Sequence, residues 1–327
     1  PSEDYNPRPH ADTDLFRMPT CSVHPLPYHP NPAEYFSRVR HAPGAVLLDS
    51  GRPSAERGRF DLLSAWPTEQ LWVQHDETGS DFLQRLRQSL DQLGTAQLPE
   101  EYPLPFAGGL IGYLSYDFGR RLEPLPAHAI DDLQLPDARF GVYAWAMISD
   151  HQQGTSQLVF HPALPDSERQ RLLTLFSQAS AADSATFKLI GAFKADLTER
   201  DYRRAFMRIQ AYIQSGDCYQ VNFSQRFQAD CQGDPWAAYC ALRRACPTPF
   251  SGYMTLPDNN TVLSLSPERF VRVSNRQVET RPIKGTRPRS KDTTQDAAYA
   301  AELLSSPKDR AENLMIVDLL RNDLGRS

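Results

Sequence analysis

Four cations fall within nine residues in Arg281-Pro-Ile-Lys-Gly-Thr-Arg-Pro-Arg289, and Lys284 stands beside a glycine and a threonine. A lysine with its ordinary pKa of ~10.4 is protonated at neutral pH and cannot attack carbon. Nearby cations and partial burial favour the free amine, so Arg281, Arg287 and Arg289, with Pro282 and Ile283 as a wall, are read as a field that activates it. The ordinary alternative is a solvated surface lysine. Glu268, between Pro267 and Arg269, is a general acid or base if burial raises its pKa, and equally an ion-pair partner of Arg269. Glu312 lies one turn into a helix and shares a face with Asp309 and Ile316. The helix dipole alone favours a carboxylate there, and the functional alternative is a Mg²⁺ ligand completed by water and substrate oxygens. No His/Cys set points to a transition metal.

Local signals place these residues on elements. Thr261 to Leu265 reads as the second strand of a hairpin whose first strand is Gly252 to Leu256 and whose turn is Pro257-Asp-Asn-Asn260. Phe270 to Asn275 and Gln277 to Ile283 continue it as a meander, which leaves Lys284 at or just past a strand end. Ser306 caps a helix with Pro307 at its first position, running to about Leu324 and burying Leu314, Met315, Val317, Leu319 and Leu320. Upstream, Thr198 and Asp201 start a helix that Gly216 stops, and Tyr219, Val221 and Phe223 alternate with polar residues as a half-buried strand. In the first half, Ala45–Leu48, Phe60–Leu63 and Leu71–Val73 read as strands. Asp81–Leu93 reads as a helix ended by Gly94. Phe106–Tyr116 reads as a glycine-rich strand, since the lysine of a phosphate loop is missing. Gly141–Ile148 and Gln157–Phe160 read as a strand pair around the turn at 150–154. Pro32–Arg40 reads as a short helix with Asn31 as its cap.

At 327 residues, with 40% hydrophobic and 23% charged residues, the chain suits one large or two modest globular domains. A net charge of −5 supplies no global basic field for nucleic acid, so the cations at 281–289 are a local feature. No apolar run approaches the length of a membrane span. Five cysteines without a C-x-x-C pair suit reduced thiols in a cytoplasmic protein. Eight prolines in residues 1–32 predict an extended arm, and Ser177–Ala185 reads as a linker or exposed loop.

Taken together, several segments resemble the chorismate-utilising enzymes. They are Ser264-Leu-Ser-Pro-Glu-Arg-Phe270, Arg281 to Arg289, Ser306 to Gly325, Gly216-Asp-Cys-Tyr-Gln-Val-Asn222, Phe106-Ala-Gly-Gly-Leu-Ile-Gly112 and Leu47-Leu-Asp-Ser-Gly51. The resemblance covers nearly everything after the arm. It implies an α+β fold of two intertwined subdomains, with large antiparallel sheets and outer helices. The expected division is an arm at 1–32, an N-terminal subdomain at 33–185, and the start of the chorismate-binding catalytic region at 186–327.

Lysine in Pro-Ile-Lys-Gly-Thr marks the branch of this family that makes 4-amino-4-deoxychorismate, a step towards 4-aminobenzoate and folate; the anthranilate-forming branch usually has alanine there. The resemblance then implies that Lys284 attacks C2 of chorismate, with Glu268 as acid/base at the C4 oxygen. It places Gly285 and Thr286 in the substrate pocket and Glu312 on Mg²⁺, and it implies ammonia from a glutamine amidotransferase partner. A tryptophan pocket is expected from Ser50, Arg59, Phe60 and Asp61 with Pro249, Phe250 and Ser251. The usual Leu-Leu-Glu-Ser signature reads Leu-Leu-Asp-Ser here. Family members continue beyond the equivalent of Ser327 with a histidine, a glycine-rich segment and a further Mg²⁺ glutamate, so a complete site is expected to need more chain. The rival readings are an anthranilate or isochorismate synthase, and a non-catalytic module that binds tryptophan or a partner subunit.

Overall fold

The computed structural model describes residues 18–55, 58–178 and 185–326. The start of the proline-rich arm and most of Ser177–Ala185 lie outside these residues. Two compact units emerge, residues 1–181 with 246–327, and residues 182–245.

The first unit opens with β1 (Ser22–Leu26) and the short helix α1 (Ala33–Phe36), where the Asn31 side chain accepts from the Ala33 N–H at 3.2 Å. β2 (Val46–Asp49), β3 (Phe60–Ser64) and β4 (Glu69–Trp72) follow. Helix α2 (Gly79–Leu93) is capped by Thr78, which accepts from the Asp81 N–H at 3.1 Å, and it stops at Gly94, the glycine expected to end it. Then come β5 (Gly109–Leu114), β6 (Ala138–Tyr143), β7 (Trp145–Asp150), β8 (Thr155–Phe160) and α3 (Asp166–Ser177).

The second unit runs β9 (Phe187–Leu189), β10 (Lys194–Ala195), α4 (Glu199–Ser215), β11 (Phe227–Gln228), β12 (Cys231–Gly233) and α5 (Pro235–Ala245). Its strands form two short antiparallel ribbons, β9 with β12 and β10 with β11. Thr198 caps α4, accepting from the Asp201 N–H at 3.2 Å and donating to the Asp201 carboxylate at 2.7 Å, so the aspartate serves where the capping box prefers glutamate. The strand expected at Tyr219–Phe223 does not form. Alternation needs a neighbouring strand to cover one side, none pairs here among the described residues, and Tyr219 is 85% exposed.

The chain then returns to the first unit with β13 (Phe250–Thr255), β14 (Thr261–Ser266), β15 (Arg272–Ser274), β16 (Gln277–Glu279), α6 (Thr293–Ser305) and α7 (Pro307–Leu324). Its large sheet is seven-stranded and antiparallel, in the order β1-β8-β7-β3-β2-β13-β14. Strands on both sides of the expected boundary at 185/186 therefore share one sheet: Ser251 pairs with Asp49 and Tyr253 with Leu47. One face carries Tyr253, Trp145 and Met147 and is covered by α1 and α3 through Phe36–Tyr253 (5.5 Å) and Trp145–Phe176 (5.8 Å) ring contacts. On the other face, Val46, Leu62, Ala146, Ile148 and Val159 pack with Ile111 and Tyr143. Each large apolar side chain buried in this way contributes about 1.5–3 kcal/mol relative to exposure.

A second sheet of the same unit, in the order β4-β6-β5, has α2 against it through Phe82 and Leu86. The apolar run Gly141–Ile148 is thus two strands in two sheets, divided at Ala144, whose carbonyl accepts from the His161 N–H. Hydrophobicity alone did not mark that crossing, because both strands are buried. Gly112 explains the glycines of β5. A Cβ there would lie 2.1 Å from the Arg139 carbonyl oxygen of the paired strand, so a side chain is excluded by close approach. Helix α7 forms as its cap predicts, with Ser306 accepting from the Asp309 N–H at 3.3 Å. Its apolar residues are not buried as expected: Leu314 and Leu319 are 71% and 53% exposed, and α7 packs mainly against α6 and the loop before it.

Candidate active site

Glu268 and Lys284 are sixteen residues apart in sequence, and the fold brings their segments together. After β14 the chain bends at Ser266, whose hydroxyl donates to the Glu268 carbonyl at 2.9 Å and accepts from the Glu268 N–H at 3.3 Å. The β15–β16 ribbon then reverses through Asn275 and Arg276, both at positive φ, and the Thr280 hydroxyl closes its base on the Phe270 carbonyl at 2.8 Å. The ribbon is a separate two-stranded sheet rather than a continuation of the β13–β14 hairpin. At its foot the Glu268 carboxylate accepts from the Ile283 N–H at 2.9 Å. The carboxylate is thereby tied to the residue that precedes Lys284. Glu268 is exposed and Lys284 is half-buried.

The three arginines around Lys284 do not form the free cationic field expected from sequence. Arg281 pairs with Glu279 at 2.7 Å, and Arg269 pairs with the same carboxylate. Arg287 bridges Glu302 on α6 (2.8 Å) and Asp309 on α7 (3.0 Å). Arg289 holds Asp296 through Nε and Nη2, at 2.8 and 3.1 Å. Each of the three arginines has a carboxylate partner, so these side chains fasten the 281–289 loop to its ribbon and to both helices. The Ser306 hydroxyl and the Arg287 guanidinium hold the Asp309 carboxyl below the usual carboxylate range. No sequence signal identified Glu279, Glu302 or Asp296 as these partners, because each pairing depends on how the ribbon and helices meet.

Gly285 is where the loop touches the helices. Its φ is +71°, and a Cβ there would sit 2.8 Å from Leu303 Cδ1 and 3.0 Å from the Asp309 carboxyl. Replacement by alanine is expected to cost about 1–2 kcal/mol from the left-handed backbone alone, before the contact with α7 is relieved. Thermal unfolding of Gly285→Ala against the parent checks this; an unchanged midpoint would contradict it. Thr286 is exposed and its carbonyl accepts from Arg287. Glu312 lies one turn beyond Asp309 on α7 and is half-buried. Among the described residues no group of three or more His, Cys, Asp or Glu side chains assembles into a metal cage. Glu312 alone is one hard carboxylate on a helix, which would hold Mg²⁺ only with water and substrate oxygens completing the shell.

The residues expected to form a tryptophan pocket also converge. The Ser50 N–H and hydroxyl both donate to Asp61 Oδ1, at 2.8 and 2.7 Å. Asp61 Oδ2 lies 2.8 Å from His151 Nε2, and His151 Nδ1 lies 2.8 Å from the Tyr28 hydroxyl. Ser50, Asp61 and the His151 ring are almost wholly buried. Arg59 reaches across to Asp150 at 2.7 Å and lies over the Phe60 ring. Burial pushes the Asp150 carboxyl up, but bonds from Arg59 and from the Gln152 and Gln153 N–H groups outweigh it and hold the carboxyl below its usual range. From the other segment, the Ser251 hydroxyl lies 2.6 Å from that of Thr248, half-buried Pro249 lies between them, and Ser251 pairs with Asp49 beside Ser50. Phe250 is partly exposed beneath the Arg269 guanidinium. Sequence reading missed His151, Tyr28 and Thr248. The 150–154 turn that carries His151 was legible, but the pairing of His151 with Asp61 was not.

Residues 44–327 match the family model for chorismate binding enzymes. The chain is 45% identical over 314 residues to aminodeoxychorismate synthase component 1 of Klebsiella aerogenes, covering 92% of this chain and 68% of that protein. It is 44% identical over 314 residues to the protein of the same name from Salmonella typhimurium, covering 92% of this chain and 67% of that protein. Among solved structures it is similar to anthranilate synthase component I from Streptococcus pneumoniae, with a TM-score of 0.68 and 28% identity over 84% of this chain and 63% of that one. The chain belongs to the chorismate-binding enzyme family, and it spans about two thirds of the length of these relatives. Among the described residues no helix is long and apolar enough to cross a membrane, and no disulfide joins the five cysteines.

Proposed function

We propose that this protein is the chorismate-binding component of an aminodeoxychorismate synthase, converting chorismate and ammonia into 4-amino-4-deoxychorismate and water. The observation that carries the reading is the Glu268 carboxylate bonded to the Ile283 N–H, which sets a carboxyl group beside the segment that bears Lys284. The Lys284 amine attacks C2 as the C4–oxygen bond breaks, and Glu268 in its acid form gives the leaving hydroxyl its proton. Ammonia then forms a bond to C4, the C2–nitrogen bond breaks, and the Lys284 amine is regenerated while Glu268 recovers a proton from the entering ammonia. Covalent catalysis of this kind divides one difficult substitution into two easier ones.

Glu312 is the residue assigned towards Mg²⁺, which would supply positive charge against the substrate carboxylates. Gly285 and Thr286 face the substrate in this reading, and a glutamine amidotransferase partner supplies the ammonia. The junction of Ser50, Arg59–Asp61 and Pro249–Ser251 is the place proposed for tryptophan.

Product identity tests the reading. Full-length protein with chorismate, Mg²⁺ and an ammonium salt is expected to give 4-amino-4-deoxychorismate, resolved by chromatography and mass. Anthranilate or isochorismate as the sole product would move the protein to another branch of the family. Tryptophan binding without any turnover would leave it a binding module.

A further inference from the structure

The geometry points to Arg287 as a positioning residue for the proposed reaction: it clamps the lysine loop onto the α6–α7 helix pair and so fixes where the Lys284 amine is presented. The inference rests on the reading of Lys284 as nucleophile. Three observations on two elements carry it. Arg287 Nε donates to Glu302 Oε1 at 2.8 Å, on α6. Arg287 Nη2 donates to Asp309 Oδ2 at 3.0 Å, on α7. Gly285, between Lys284 and this clamp, has a φ of +71° and approaches Leu303 and Asp309 so closely that a Cβ would press on both side chains.

The planar guanidinium is suited to this task. Its donors diverge at fixed angles, so one side chain engages two carboxylates on two helices at once, whereas an ammonium is a single point charge. The opposite end of the loop is held by the Glu268–Ile283 bond. Lys284 therefore sits on a short span fastened on both sides, at Ile283 and at Arg287. The same clamp joins that span to α7, the helix that carries Glu312. Arg287 itself is turned towards Glu302 and Asp309, so its role is exerted through the lysine and not by contact with substrate.

The test uses full-length protein with chorismate and two readouts: steady-state turnover with ammonia, and the rate at which Lys284 gains the mass of one chorismate less one water when ammonia is withheld. Arg287→Ala is expected to slow both by about 10²-fold, the scale of a misplaced reacting group, with KM for chorismate within about threefold of the parent. Arg287→Lys is expected to recover part of the loss. Adduct formation at the parental rate in Arg287→Ala overturns the role, and so does a loss confined to KM, which would make Arg287 a substrate-binding group. If Arg287→Ala does not fold, Glu302→Ala removes one limb of the clamp and carries the same expectation at smaller size. The parent is the control for the underlying reading. A parent that turns over without ever forming the adduct removes the nucleophile assignment, and the clamp's role with it, whatever the Arg287 variants do.

Discussion

Lys284→Ala in the full-length protein is expected to lose the covalent adduct with chorismate and to reduce product formation on the order of 10³- to 10⁶-fold, the range seen when a nucleophile is deleted from a site that otherwise binds normally. The variant should fold like the parent. Lys284 is half-buried on a loop whose fastenings belong to other residues: Glu268 through the Ile283 N–H, and Arg287 through Glu302 and Asp309. Removing its amine leaves every one of those bonds intact. The thermal midpoint should shift by no more than a surface substitution shifts it, within about 0.5 kcal/mol. A full adduct in the alanine variant would place the nucleophile elsewhere. Normal turnover without an adduct would mean that ammonia attacks chorismate directly.

The second large effect concerns stability. Asp61→Ala is expected to destabilise the fold by about 3–5 kcal/mol, the cost of breaking a buried polar cluster from one side. The Asp61 carboxylate accepts from the N–H and hydroxyl of Ser50 and contacts His151, and His151 in turn meets the Tyr28 hydroxyl. Alanine leaves the Ser50 donors and a histidine ring nitrogen buried with no partner. Asp61→Asn should cost less. Its oxygen can still accept from Ser50, and its amide can donate to His151 Nε2 provided His151 protonates Nδ1 and gives that hydrogen to Tyr28. Urea unfolding separates the three proteins by midpoint at constant slope. Asp61→Ala within about 1 kcal/mol of the parent would show that the cluster collapses or hydrates easily.

What could be read without a structure was whatever local rules control. Thr198 with Asp201, and Ser306 with Pro307, marked helix starts because capping involves residues three apart. Pro257-Asp-Asn-Asn260 marked a hairpin because Asp258 and Asn259 tolerate the positive φ that they adopt. Lys284, Glu268 and Glu312 were legible as candidates because their motifs are long and specific. Burial was less legible: α7 carries apolar residues at helical spacing, yet the spacing does not say what covers them.

The amino-acid sequence by itself determined the family, and it marked the candidate chemistry-bearing residues and most of the helices and hairpins. These depend on residue types a few positions apart. Tertiary structure alone decided that the Glu268 carboxylate bonds beside Lys284, that the arginines clamp the loop instead of leaving a bare field, and that Gly141–Ile148 divides between two sheets. It also decided that β13 and β14 complete the sheet begun by β2 and β3, and that His151 meets Asp61. The physical reason is common to all of these. A hydrogen bond or ion pair between distant residues is set by where sheets and helices place them in space, and that placement depends on the packing of the whole unit.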